Sequence, residues 1–272
     1  MNQGFGKRIF LVMQGRMAAC WLAQGAERGV ECIAMIRFTL FGVQVCIHPT
    51  LWLTLALLGR AFMISSVMDL LCVLLVILAG FVVLLVHEMG HALVGRCLGG
   101  GYPCVYLAWL GGDCTNETAR LSRMQGVVMT LAGPFASLLV GVLAYVALCL
   151  YVGSFAVGTV YATCFALGAL PAEAVLTYPA LTMFLFFFLI EISCWWTVLN
   201  MLPIFPLDGG QIMQGLMKSG SQVYAISLAS AVVMTAVSAV LGAWLLMIFM
   251  VLLAVLNHKF YQESRHGGAD FH

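Results

Sequence analysis

The sequence predicts an all-α polytopic membrane protein of about six transmembrane helices. Three observations carry this: 63% of the 272 residues are hydrophobic, only 8% are charged, and mean hydropathy is +1.05. Soluble domains run nearer about 45–50% apolar and about 25% charged, because charge must cover the outside of a water-exposed fold. A soluble globular protein and a disordered chain are therefore excluded. Twelve Lys and Arg stand against eleven Asp and Glu, which leaves no basic field to hold a phosphate backbone, so nucleic acid is excluded as a partner. The partner that composition demands is the lipid bilayer. Ten cysteines form no C-x-x-C pair and lie mostly in apolar runs, where cysteine behaves as a small hydrophobe.

A span needs about 20 apolar residues to cross roughly 30 Å of hydrocarbon. Between flanking charges, 38–59, 70–87, 124–172 and 219–258 are charge-free, and 174–190 and 192–207 are separated only by Glu191. These runs accommodate helices over about 47–65, 69–96, 124–151, 178–200, 222–240 and 242–258. The last two join near Gly242.

Orientation follows from the bias of Lys and Arg toward the cytoplasm. With six spans and a cytoplasmic N-terminus, every Lys and Arg except Arg60 falls on the inner side. A seventh span within 124–172 would move Lys218, Lys259 and Arg265 outside, so 153–177 reads as an outer connection along the membrane. The expected protein is integral and multi-pass, with both termini in the cytoplasm and a bacterial cytoplasmic membrane as its setting. Residues 1–36 read as an N-terminal cytoplasmic extension, 37–260 as the six-span domain, and 261–272 as a short cytoplasmic tail. The apolar run Ile9–Met13 is too short for a signal-peptide core.

Ionisable side chains inside a span are costly and mark function by default. The second span carries His87-Glu88-Met89-Gly90-His91, an H-E-x-x-H pattern. Residues four apart on a helix share a face, so the two imidazoles can hold one Zn²⁺. Glu88, about 100° round the helix, is placed to take a proton from water. At this composition the pattern should arise by chance in roughly 1 sequence in 300, which makes accident a poor account of it.

Catalytic zinc wants a third protein ligand and an open position. The fourth region ends in Asn200-Met201-Leu202-Pro203-Ile204-Phe205-Pro206-Leu207-Asp208-Gly209-Gly210. Its prolines stop the helix, and Asp-Gly-Gly sets a carboxylate on a turn. Glu117, Glu173 and Glu191 compete for the role, and Asp208 would need no partner as a plain turn residue. Depth favours Asp208, since the second and fourth spans run in the same direction and end on the same side.

HEMGHALVGR together with NMLPIFPLDGG resembles the site-2 protease family of intramembrane zinc metalloproteases. In particular it resembles the compact branch typified by the bacterial sporulation factor that processes a membrane-bound pro-sigma factor. The similarity extends over about 40–260, including Cys46-Ile47-His48-Pro49 at the first span, Leu110-Gly111-Gly112, and Leu131-Ala132-Gly133-Pro134 in the third. The resemblance implies a membrane-inserted loop after the second span. It also implies one Zn²⁺ per chain on His87, His91 and Asp208, with Glu88 as catalytic acid and base. Asn200 would bind substrate backbone or stabilise the oxyanion, and His48 is a further candidate as proton carrier or transition-state donor. Ser137 departs from the pattern, standing where many relatives carry Asn.

The activity implied is hydrolysis of a peptide bond within or near a transmembrane segment of a membrane-embedded protein substrate, such as a tethered regulatory protein. A regulatory membrane partner or a homo-oligomer stays open. The alternative is a transporter or metal carrier that uses the same ligands without hydrolysis, but a carrier has no need of a carboxylate beside the metal rather than on it. Three lesser readings complete the sequence. Glu191 reads as lining a substrate or water path, or as a shielded carboxyl. Trp195-Trp196 read as packing or interfacial anchors. The stretch 102–112 reads as a short hairpin with an exposed edge.

Overall fold

Two capping boxes start the longest helices. In each, a serine side chain accepts from the backbone N–H three residues on, and the residue there reaches back to the serine N–H. Ser66 and Asp69 begin α2 (Val67–Cys97), and Ser122 and Gln125 begin α3 (Arg123–Val152). The structure, a computed structural model, describes residues 35–109, 111–115 and 121–267. Three more long helices follow: α6 (Ala180–Asn200), α8 (Gly220–Val240) and α9 (Trp244–Gly267). Among the described residues, these five are long and apolar enough to cross a membrane.

The expected first span is shorter than 47–65. Helix α1 occupies only Pro49–Leu58, starting with proline at its first position and His48 as N-cap. It stops at Gly59, and Arg60 follows in the left-handed region at φ 58° before a single 3₁₀ turn, Ala61–Met63. Ten residues of helix cover about 15 Å, half the hydrocarbon thickness. The apolar residues before His48 are drawn into strands instead. β1 (Ile36–Leu40) and β2 (Val43–Ile47) form a hairpin through Phe41-Gly42, both at positive φ.

The chain then runs through α1 and α2 and returns to the same sheet. β3 (Cys104–Ala108) pairs in parallel with β2, and β4 (Gly111–Thr115) pairs antiparallel with β3, giving the order β1-β2-β3-β4. Parallel pairing requires such a long crossover. The hairpin expected over 102–112 thus exists, but its first strand is paired on both sides, and the open edge belongs to β4. Val43, Val45, Ile47, Val105 and Leu107 of the sheet pack on Leu51 and Leu55 of α1 and Leu84, Met89 and Ala92 of α2. This places the sheet at the level of the H-E-x-x-H segment.

Residues 153–177 form two short helices, α4 (Phe155–Ala166) and α5 (Ala172–Thr177). Phe165 and Ala174, both fully buried, join Leu148 of α3 and Met183 of α6 in one cluster, so the connection folds against the bundle. Helix α7 (Asp208–Leu216) follows the proline-rich turn after α6. Helices α8 and α9 meet at Gly242, which turns at φ 67°.

Candidate metal centre

The H-E-x-x-H segment lies in the last third of α2, where small residues let α3 approach closely. A β-carbon on Gly90 would overlap the Ala132 carbonyl and the Ala136 methyl, and one on Gly133 would overlap the His91 ring. Pro134 sits inside α3 at this contact. At the other side, α6 ends at Asn200 and the chain turns through Met201–Leu207 before Asp208 opens α7. Gly209 and Gly210 seat α7 on that turn, since a β-carbon at either would strike the backbone of Met201–Leu202 or Ile204–Phe205.

These constraints bring three side chains to one point. Ligand atoms of His87, His91 and Asp208 all lie within 4.8 Å of one another, and all three residues are buried. The two Nε2 atoms are 3.2 Å apart. Asp208 Oδ2 is 3.0 Å from His87 Nε2, and Oδ1 is 3.4 Å from His91 Nε2. The opposite ring nitrogens have partners of their own. His91 Nδ1 faces the Met129 carbonyl at 2.9 Å, and His87 Nδ1 faces Ser137 Oγ at 3.3 Å. The Met129 carbonyl can only accept, which puts the His91 proton on Nδ1 and leaves Nε2 with a lone pair. The Ser137 hydroxyl bonds back to the Pro134 carbonyl at 3.0 Å and meets Thr197 Oγ1 at 2.9 Å. It thereby keeps a lone pair for His87 Nδ1–H.

Two lone-pair nitrogens and a carboxylate then converge with little between them to share. Among the described residues, buried Asp208 Oδ2 has no partner besides the His87 nitrogen 3.0 Å away. Acceptors packed this way repel unless a cation joins them. Imidazole and carboxylate donors held by outer partners form the ordinary setting of Zn²⁺, so the residues fit the metal.

Glu88 is buried in the same turn of α2, and its carboxyl lies against Gly112 of β4 so closely that a β-carbon there would overlap it. Asn200 is buried at the end of α6 and donates Nδ2 to the Trp196 carbonyl at 2.9 Å. His48 stands apart from the three ligands. Its Nδ1 meets Thr50 Oγ1 at 2.8 Å as the cap of α1, and its ring lies 6.4 Å from Tyr106. Glu191 is half-buried near Gly168 in the link between α4 and α5, and Glu173 sits in the first turn of α5. Glu117 lies outside the described residues.

Sequence reasoning marked Ser137 only as a departure from the family pattern and did not single out the Met129 carbonyl, the two groups that orient the imidazoles. No local spacing signals either contact, because each joins α2 to α3 through residues 50 or 38 apart in the chain. It also paired two tryptophans that the fold separates. Trp195 is exposed, whereas Trp196 stands edge-on to the His87 ring at 6.1 Å and faces Gly111.

The sequence profile of peptidase family M50 matches residues 74–244, a stretch that contains His87, Glu88, His91 and Asp208. The chain belongs to peptidase family M50. This M50 protein is an integral, multi-pass membrane protease of the intramembrane type. Among solved structures it is similar to the site-2 protease from Methanocaldococcus jannaschii, with a TM-score of 0.51 at 18% identity. The likeness covers 84% of this chain and 95% of that one, and it shows a shared fold. No curated protein matches the chain in sequence.

Proposed function

We propose that this M50 protease hydrolyses a peptide bond within or near a transmembrane segment of a membrane-tethered protein. The observation that carries the reading is the buried convergence of His87, His91 and Asp208 beside the Glu88 carboxyl. The three residues would hold one Zn²⁺, which when bound lowers the pKa of water and polarises a carbonyl. Glu88 removes a proton from the attacking water and returns it to the amine of the leaving peptide. Ser137 and Met129 keep both imidazoles in the tautomer that presents Nε2.

Substrate must arrive extended, because a helix occupies its own amides and carbonyls. Extended backbone in lipid is costly unless something pairs it. Among the described residues β4 is the edge strand beside β3, and its Gly112 lies against the Glu88 carboxyl, which supports addition of the substrate as a further strand. Trp196 of α6 faces Gly111 of β4, and it and Asn200, which bonds its carbonyl one turn on, are assigned to substrate. His48 is assigned to the capping of α1, on the support of its bond to Thr50.

The Lys and Arg bias supports a cytoplasmic metal end and both termini in the cytoplasm. This reading makes α1 and the link through Arg60 to Ser66 complete one crossing together.

The test pairs metal analysis with proteomics. Full-length protein should carry about one Zn²⁺, and Glu88→Gln should retain it while abolishing cleavage. Membrane proteomes from cells carrying wild-type protein or Glu88→Gln should differ in one or a few accumulated membrane-tethered proteins. Normal cleavage by Glu88→Gln, or full zinc retention by His87→Ala with His91→Ala, would refute the assignment.

A further inference from the structure

The buried contacts of the α8–α9 hairpin with the rest of the chain concentrate on the turn that leads to Asp208. Ala231 of α8 and Met250 and Leu253 of α9 enclose Ile204, which is fully buried, with Leu199, Leu202 and Leu207 around it. Tyr224 and Phe260 close on Phe205, their rings 5.7 and 5.8 Å from its own.

Within this apolar contact two polar side chains grip a single residue. Ser227 Oγ of α8 accepts from the Phe205 N–H at 3.0 Å, and Asn257 Nδ2 of α9 donates to the Phe205 carbonyl at 2.6 Å. Both side chains are fully buried. Asn257 also bonds the Leu253 carbonyl of its own helix at 2.8 Å, while its Oδ1 has no partner among the described residues. A buried amide with an orphaned atom is costly. Its contact outside its own helix is the one to Phe205, and that contact is what the cost sustains.

Phe205 lies three residues before Asp208, and Gly210 in the first turn of α7 packs so closely on the Ile204–Phe205 peptide that a β-carbon there would overlap it. The turn is thus packed between the hairpin and α7. We infer that Ser227 and Asn257 are positioning residues for the metal centre, holding Asp208 on the metal through the Phe205 backbone. The hairpin is then an arm on the third ligand, and any displacement of α8 and α9 is transmitted to metal binding. This inference rests on the reading of Asp208 as a ligand.

The test is a titration of Zn²⁺ against a chromogenic chelator, using the full chain in detergent. Ser227→Ala and Asn257→Leu should each raise the zinc dissociation constant about 10-fold or more, the usual effect of losing an outer partner of a metal site. Ser238→Ala supplies the control. Ser238 is equally buried on α8 but bonds only the Met234 carbonyl of its own helix, so zinc affinity should be unchanged. In an Asp208→Ala background, where the arm has nothing to hold, neither Ser227→Ala nor Asn257→Leu should weaken binding further. If Asn257→Leu does not fold, Ser227→Ala decides alone.

An equal loss in Ser238→Ala, wild-type affinity in Ser227→Ala, or the same further loss without Asp208 would each overturn the inference. Wild-type protein that binds no zinc would instead defeat the metal centre itself, and this inference with it.

Discussion

Gly133 of α3 faces the imidazole of His91 with no room for a side chain between them. The contact explains an Ala-Gly-Pro segment in the third span. One face of that helix must come close enough for its Met129 carbonyl to reach His91 Nδ1. Gly133→Ala should push the ring off this carbonyl and lower zinc content, at a stability cost of about 1–3 kcal/mol for overpacking. Gly126→Ala on the same helix meets no atom within 4 Å. It should keep zinc and raise the thermal midpoint slightly, since alanine is the better helix former by up to about 1 kcal/mol. Zinc analysis and thermal unfolding of the two variants in detergent separate the effects.

Glu88 and Gly112 make the second close contact at the site. A methyl group at position 112 would overlap the Glu88 side chain, to which the three atoms nearest it all belong. Gly112→Ala should therefore retain about one zinc per chain and lose about 100-fold in turnover, the scale expected when a reacting group is misplaced by roughly 1 Å. Loss of zinc in this variant would mean that β4 supports the ligands rather than the base.

Ser137 tests whether the outer partner of His87 matters. Ser137→Ala leaves Nδ1 buried beside an apolar methyl and should weaken zinc binding about 10-fold or more. Thr197, 2.9 Å from the Ser137 hydroxyl, belongs to the same network. Thr197→Val should cost less than Ser137→Ala, and the double variant should fall short of the sum of the two. Additive losses would show that Thr197 acts elsewhere.

Orientation is open to chemical labelling. In a cysteine-free background, single cysteines at positions 2 and 270 should resist a membrane-impermeant reagent in intact cells and react after permeabilisation. Reaction of one end from outside would show that α1 and the link to Ser66 do not amount to a crossing, and that five helices alone span the membrane.

Composition alone decided that this chain lives in a bilayer, because a surface with so few charges cannot face water. Helical periodicity put His87 and His91 on one face and Glu88 beside them, since the pattern is contained within one turn and a neighbour. The prolines and glycines around Asp208 marked a turn with a carboxylate at its end. Each of these is a local property, readable from adjacent residues.

Other features depend on where distant segments meet. Val45 and Ile47 find β3 partners at Val105 and Leu107, and pairing across 60 residues of chain leaves no mark on either strand. The span expected over 47–65 loses only Ile47 to the sheet and falls short chiefly at its other end, where Gly59 ends α1 and Arg60 turns in the left-handed region. Met129, Ser227 and Asn257 carry no motif, and the contact of Ser137 was not legible either, because each works through one atom that points at a residue from a distant segment. Which polar atoms in an apolar chain find such partners is set by how the helices pack, since in the membrane interior an unpaired group has no water to turn to.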